Sequence, residues 1–377
     1  MIHRRPRPAR VLGLAAFALV AAACSSSSST TTSTADSTPT VETVPTTTIA
    51  VASTIAEPTT TAEAPTTVTE APTTTAAPAP TWPLTGLPRT DPLLALRPAI
   101  AVKLDNHKEA RPHAGLIQAD IVFEEIVEAQ ITRFFAVFHS TDAAPVGPVR
   151  SARTTDVDLL NQLNRPLFAW SGGNRGVVQA IGAANAESRA AGQRPDLYYR
   201  DQERHKRTAI EHTLFLKGTQ DLWATISPGQ GTPSPLFQYR PAGTPSVGDP
   251  SAGFDLNLRS VPVHWTWDAA QGLWLRDEYG APHTDISGAQ ISTNNVVVEF
   301  IQYGTSPVDA RSPQGYSVGS GDAMVFSDGK VQLVHWDRPS ADAPATFTTA
   351  DGSPVLLTPG RTWVELAEAG SSRITPA

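Results

Sequence analysis

Cysteine is almost absent from this sequence, which contains one in 377 residues. Because Cys24 has no second cysteine to pair with, an internal disulfide is excluded. Its position directly after an apolar run predicts a different use. Small residues at 21–23 suit cleavage by a signal peptidase, and the freed thiol can accept lipid. We therefore predict lipidation at Cys24.

Apolar runs long enough to span a bilayer are also missing. The run at 11–20 follows four arginines, at positions 4, 5, 7 and 10, and is too short for a mature transmembrane helix. This pattern is typical of an export signal, and its end resembles a bacterial lipobox, with Ala21 where leucine is commoner. We predict a lipoprotein signal peptide at 1–23 and an extracytoplasmic protein anchored to the cell membrane.

Positive charge is scarce in the remainder of the chain. Without the four arginines of 1–23 and the five acids of 24–81, the overall net charge of −7 becomes −6. A protein gains affinity for nucleic acid largely when Lys and Arg neutralise phosphates. A modestly acidic protein is therefore not expected to bind nucleic acid.

Large apolar residues are nearly missing from 24–81, which consists mainly of Ser, Thr, Ala and Pro. Such a segment cannot bury enough apolar surface to offset its chain entropy. Thr/Pro-rich composition favours extended conformations and is also a common substrate for O-glycosylation. We predict a disordered tether that holds the folded part away from the membrane.

Signatures of catalytic and metal sites are missing too. The histidines lack a ligand spacing such as His-Glu-x-x-His, and no serine lies in a Gly-x-Ser-x-Gly elbow. Ser151 and Ser171 are better interpreted as helix caps, and the glycine loop that follows Ser171 as either an anion-binding loop or a tight turn. We expect no metal, no cofactor and no catalytic residue.

Segments rich in branched and aromatic residues begin near Trp82. Residues 99–104, 120–127, 131–139 and 167–170 are typical of strands, while 152–163, 175–184, 208–217 and 219–225 favour helices. This alternation predicts an α/β (α+β) domain at 82–226.

The pattern changes after a stretch rich in Pro, Gly, Ser and Thr at 227–250, which we interpret as a junction. Residues 251–368 alternate strand-like segments with turns, and Asp328-Gly329 between two apolar runs is a strong hairpin signal. A mostly antiparallel β domain is predicted there, followed by a tail at 369–377.

Several motifs in the same order resemble the YerB lipoprotein family. They are 110–116 (ARPHAGL), 119–124 (ADIVFE), 132–133 (TR), 148–153 (PVRSAR), 319–336 and 359–363 (PGRTW). The resemblance covers about 83–368 and implies a two-part extracytoplasmic lipoprotein, without an established activity or catalytic residues. The chain departs from the expected pattern at Ala129-Gln130, where a glycine-containing turn would be typical.

Residues 97–153 are unusually rich in charged side chains. Guanidinium groups bind carboxylate or phosphate in bidentate fashion, so the arginines of this stretch are candidates for a ligand site. An ion-pair network with the acids of the same stretch is the structural alternative. The candidate ligand-binding residues are Arg111, Asp120, Glu124, Glu128, Arg133, Arg150, Ser151 and Arg153.

Three functions remain open from the sequence. The first is a non-catalytic envelope protein that binds a cell-wall component or an envelope protein through the arginines. The second is a peptidoglycan-modifying hydrolase using Glu124 or Asp120 as acid/base, although Glu124 and Glu128 would lie about 13 Å apart along one strand face. The third is a scaffold for wall-synthesis proteins. Tryptophans of the β domain are candidates for stacking on sugars, with core packing as the alternative; they are Trp265, Trp267, Trp274 and Trp336.

Overall fold

The computed structural model describes residues 80–89 and 91–376. The predicted signal peptide, Cys24 and the tether up to residue 79 lie outside the described residues. The described residues all belong to one compact unit.

The first part of this unit mixes strands with short helices. The helices are α1 (Thr155–Asn161), α2 (Arg175–Ala183), α3 (Gln202–His205) and α4 (Thr219–Trp223). The strands are β1 (Ile100–Asp105), β2 (Ile121–Ile126), β3 (Thr132–Phe138), β4 (Leu167–Ala169), β5 (Glu187–Ser188), β6 (Tyr198–Arg200) and β7 (Leu214–Leu216).

The second part consists mostly of antiparallel strands, so the predicted fold class is confirmed. The strands are β8 (Asp249–Pro250), β9 (Gly253–Leu258), β10 (Val261–Asp268), β11 (Leu273–Glu278), β12 (Ala281–Pro282), β13 (Ser292–Thr293), β14 (Asn295–Ser306), β15 (Asp309–Tyr316), β16 (Gly319–Ser327), β17 (Lys330–Arg338), β18 (Thr346–Thr348), β19 (Thr362–Glu368) and β20 (Arg373–Pro376).

Strands from both parts share one sheet, which has twelve strands in the described part of the chain. Its main order is β18-β17-β16-β14-β19-β2-β3-β1-β4-β5, and the two parts meet where β19 lies parallel to β2. A second sheet contains β9 to β13 and β20, and β6 pairs with β7 separately. The domain bounds predicted from the sequence remain a prediction, because one continuous sheet contains strands from both parts.

The large sheet has a different partner on each face. Residues that point to one face, such as Ala101 and Phe135, pack with Leu160 of α1 and Ile181 of α2. Their neighbours along the strands point to the other face and pack against the second sheet. On that face Phe134 contacts Trp363 of β19 and lies in the same core as Trp265 of β10. Side chains of a strand alternate between faces, so adjacent residues enter different environments.

Two turns decide local register. The Asp328-Gly329 hairpin is confirmed, because both residues have positive φ (50° and 69°) and Ser327 pairs with Lys330. Between β2 and β3, Ala129 and Gln130 also adopt positive φ (56° and 59°), a conformation that usually requires glycine. The turn therefore forms without the glycine, at a cost in backbone strain.

Two sequence-based helices differ from the structure. The helix predicted at 208–217 is wrong, because Leu214–Leu216 is a buried strand whose branched and aromatic side chains pack in the core. The helix predicted at 152–163 is confined to Thr155–Asn161. Ser151 and Ser171 do not cap helices: their hydroxyls lie 3.3 Å apart, and Asn174 caps α2 by accepting from Val177 N–H.

Candidate functional site

The end of β1 and the start of β3 bring opposite charges together. Because these strands are antiparallel, Asp105 lies directly opposite Arg133. The segment after Pro148 runs beside them, since Arg150 N–H donates to the carbonyl of Lys103. Sheet pairing therefore places three separate stretches of the chain at one edge.

Asp105 is the acid around which this edge is organised. Its Oδ2 lies 3.1 Å from Arg150 Nε and 2.6 Å from His212 Nδ1, and its Oδ1 accepts from His107 N–H at 3.0 Å. Burial raises the pKa of Asp105, but the hydrogen bonds from His212 and His107 and the charge of Arg150 outweigh burial and lower it to about 2. Asp105 is therefore ionised at neutral pH.

Arg133 and Arg153 lie near Arg150. Arg133 donates to Ser151 O at 2.7 Å and is 6% exposed; burial, and then the nearby charge of Arg153, lower its pKa to about 10. Arg153 donates from Nε and Nη2 to Glu128 Oε2 at 2.9 and 2.7 Å. The Arg153 guanidinium is thus occupied by the protein, whereas Arg133 is buried with one hydrogen bond and an Nε that has no partner among the described residues.

Glu128 does not lie on a strand face with Glu124, so that prediction is wrong. Strand β2 ends at Ile126, and Glu128 begins the turn that contains Ala129 and Gln130. Its other oxygen accepts from Ser312 Oγ at 2.9 Å.

Arg111 is placed apart from the other three arginines. It forms an ion pair with Glu278 of the second sheet, and its guanidinium lies 5.0 Å from the centre of the Tyr279 ring. The structure therefore brings Arg133, Arg150, Ser151 and Arg153 together and places Arg111 in a different network.

Glu124 belongs to a network on the face of the second sheet. Its side chain is fully buried and lies 2.7 Å from Arg276 Nη2, while Arg276 Nη1 lies 2.5 Å from Glu278 Oε2. Burial lowers the pKa of Arg276, but Glu124, Glu278 and Glu365 outweigh it and raise the pKa above its usual value. Glu124 therefore has a structural ion-pair partner and no path to solvent.

Asp120 has a structural role at the start of β2. Its Oδ2 accepts from the backbone N–H groups of His139 and Ser140 at 2.6 and 2.7 Å, and its Oδ1 accepts from the Ser140 hydroxyl. Burial raises the pKa of Asp120 to about 6 despite these bonds. The carboxyl thus fastens the end of β3 to the start of β2.

Lys103 forms a second buried network, on the face that packs against α1. Its Nζ pairs with Glu125 and lies 2.8 Å from Asp156 Oδ1, and all three side chains are fully buried. Burial, and then the charge of Asp156, raise the pKa of Glu125 to about 7. Adjacent residues Glu124 and Glu125 therefore enter two different ion-pair networks.

A groove adjoins Arg150, and we call it the Arg150 groove. Its volume is about 560 Å³, and Arg150 is 24% exposed at its side chain. Among the described residues, the Nη groups of Arg150 have no hydrogen-bond partner and Arg200 has no carboxylate partner; Arg200 donates to Ile210 O at 2.6 Å. The lining also includes Ser171, Tyr198, Tyr199 and Glu211.

Sequence reasoning missed several residues at this edge. His107, Glu109 and His212 bring ligand atoms within 4.8 Å of one another, although the sequence predicted no metal site. A separation of 105 positions between the histidines gives no spacing signal. The short motif His107-x-Glu109 directly after a buried strand was the only local hint.

A larger groove of about 860 Å³ lies on the second part, beside β14, β16 and β17. Its lining is mainly apolar and includes Leu333, which is 73% exposed. Trp265 and Trp274 are fully buried, so these two tryptophans pack in the core and present no face to a sugar, while Trp336 is 2% exposed at the lining of this groove. Within 80–89 and 91–376, no helix has the length and apolar character needed to cross a bilayer.

Comparison with known proteins gives matches over most of the described chain. A family model described as "Protein of unknown function (DUF3048) N-terminal domain" matches 84–229, and the C-terminal domain of the same family matches 254–364. The "Putative lipoprotein YerB" of Bacillus subtilis (strain 168) is 29% identical over 300 residues, 75% of this chain and 85% of that protein. The crystal structure of the YerB protein from Bacillus subtilis has the same fold, with a TM-score of 0.66 and 23% identity over 78% of this chain and 99% of that one.

Proposed function

Because this chain belongs to the YerB-like family of unknown function (DUF3048), we propose that it is a lipid-anchored envelope protein whose Arg150 groove binds a carboxylate ligand without catalysing a reaction. The carboxylate belongs to a cell-wall component or to an envelope protein.

The observation that carries the proposal is the state of Arg150. Its Nε lies 3.1 Å from Asp105 Oδ2 in an ion pair without hydrogen-bond alignment, and its Nη groups have no hydrogen-bond partner in the described part of the chain. An arginine paired in this way retains donors for a planar anion. Arg200 adds a second cation at the same groove.

A binding experiment tests the groove directly. The probe is a soluble muropeptide with free carboxylates, and its fully amidated form is the matched ligand control. A hydrogen bond to a charged group contributes about 1.5–3 kcal/mol, so Arg150→Gln or Arg200→Gln should weaken binding by roughly 10- to 150-fold in calorimetry. Arg311→Gln is the control variant, because that side chain is 89% exposed and outside the groove.

Two results would contradict the groove proposal. One is equal affinity of the original protein and Arg150→Gln for the muropeptide; the other is equal affinity for the free and amidated forms. If the muropeptide does not bind at all, a pull-down from solubilised membranes with the same variants tests the protein-ligand and scaffold alternatives. Capture of a protein that is lost in Arg150→Gln supports the groove, and capture that is unchanged in Arg150→Gln supports a scaffold.

The positions of the candidate acids support a role without catalysis. Glu124 is fully buried beside Arg276, and Asp120 accepts three hydrogen bonds from the protein. Neither carboxyl has room for a glycan. Digestion of peptidoglycan by the purified protein that disappears in Glu124→Gln would overturn this part of the proposal.

Anchoring rests on the sequence at Cys24 and on the family. Cys24→Ala should move the protein from the membrane to the soluble fraction and abolish incorporation of a labelled fatty acid, because no other thiol is present. Ser25→Ala is the control. Membrane retention of Cys24→Ala would mean that another segment anchors the chain.

A further inference from the structure

We propose that His107, Glu109 and His212 bind a divalent transition-metal ion, with Zn²⁺ the ion that these donors suit best. Two imidazoles and one carboxylate are the protein ligands of several zinc sites that keep a coordination position open. The proposal is independent of the Arg150 groove, since none of the three residues lines it.

Distances between the donors are compatible with one ion. The three ligand atoms lie within 4.8 Å of one another. In a tetrahedral zinc site with bonds of about 2.1 Å, ligand atoms lie about 3.4 Å apart. The set therefore has to contract by roughly 1.4 Å at most. Glu109 is exposed and His107 half-buried, so each can turn toward an ion once Glu109 releases the Thr208 hydroxyl and His107 Nδ1 releases the Glu109 N–H.

The fold brings the ligands from two elements. His107 and Glu109 follow β1 and are separated by one residue at a short 3-10 turn, while His212 ends another such turn just before β7. The imidazoles of His107 and His212 stack with centroids 4.7 Å apart and planes 8° from parallel. Stacked rings direct their in-plane lone pairs along parallel planes, so His107 has to turn out of the stack for both imidazoles to bind one ion.

Asp105 supplies the second observation that points to a metal. Its Oδ2 lies 2.6 Å from Nδ1 of His212, so the two groups share a hydrogen bond. That hydrogen bond orients the His212 ring and uses Nδ1, so Nε2 is the ring nitrogen left for an ion. Histidines that bind zinc commonly have this carboxylate partner, which fixes the tautomer and increases the basicity of the ligand atom.

The experiment measures metal binding alone. The protein is purified through a tag without histidine, treated with a chelator and titrated with Zn²⁺ by calorimetry and with Co²⁺ by visible absorption. We expect one ion per chain, and a loss of affinity of at least 10-fold in His107→Ala and in Glu109→Gln. The matched controls are His205→Ala and Glu203→Gln, which alter exposed residues of α3.

Folding is checked by circular dichroism of each metal-free variant. Asp105→Asn should weaken Zn²⁺ binding by roughly 10- to 100-fold, as expected for a residue that orients a ligand. Absence of a saturable Co²⁺ or Zn²⁺ signal in the original protein, or equal affinity in His107→Ala and the controls, would overturn the metal site. Neither result affects the groove, which is tested without metal.

Discussion

Removal of the Lys103 ammonium is expected to destabilise the protein strongly, because Lys103 is the cation of a fully buried network. Its Nζ pairs with Glu125 and Asp156, so Lys103→Met leaves two buried carboxylates without the cation that pairs with both. Breaking a buried ion pair by removing one member typically costs about 3–5 kcal/mol. That is a large part of the roughly 5–15 kcal/mol that stabilises a folded domain.

The loss of unfolding free energy in Lys103→Met should increase as pH rises. Burial, and then Asp156, already raise the pKa of Glu125 to about 7, and loss of Lys103 raises it further. An acid with a raised pKa in the folded state contributes stability below its unfolded pKa and loses it as pH rises through the folded pKa. Urea denaturation should therefore show a larger cost for Lys103→Met at pH 8 than at pH 5.

The matched control is Lys206→Met. Lys206 lies 2.6 Å from Glu203, but both side chains are more than two-thirds exposed, so the expected cost is below about 1 kcal/mol. The double variant Lys103→Met/Glu125→Gln should lose less stability than the sum of the two single variants. If Lys103→Met costs no more than Lys206→Met at pH 8, the reasoning about the buried network is refuted.

Three further predictions concern stability measured by chemical denaturation. Burial raises the pKa of Glu299 to about 7, so the stability that its neutral carboxyl contributes should be lost as pH rises from about 4.5 to 7. Glu299→Gln should reduce this pH dependence of the unfolding free energy by up to about 3 kcal/mol. An unchanged pH profile would contradict the prediction. Gly115→Ala should cost about 1–3 kcal/mol, because φ is +89° and the new Cβ would lie 2.9 Å from Val146 Cγ2; a neutral result would contradict the close packing. Ala129→Gly should stabilise the protein by up to about 1 kcal/mol by relieving positive φ, and a loss of stability would contradict the strain at this turn.

Local patterns were sufficient for most secondary structure. The runs around β1, β2 and β3 are branched and aromatic, and a strand can be predicted from them without knowledge of its partner. Asp328-Gly329 is equally local, since only the conformational freedom of two residues decides the hairpin. The prediction failed at 214–216, where burial in the tertiary core overrides a weak helical pattern.

Only the tertiary structure decides which charged side chains pair with one another. Glu124 and Glu125 are neighbours, yet one pairs with Arg276 of the second sheet and the other with Lys103 on the opposite face. Alternation along a strand predicts that the two side chains point to opposite faces, but the sequence contains no signal for the element that covers each face.

By itself, the sequence was sufficient for the α/β and β segments and the family, which depend on composition, short periodicities and ordered motifs, and from it the export signal is predicted. Only the tertiary structure separated Arg111 from the other three arginines and brought His212 to His107 across 105 positions. The physical reason is that ion pairs and ligand sets form between residues that strand pairing makes neighbours in space, and pairing between distant strands is a property of the whole fold.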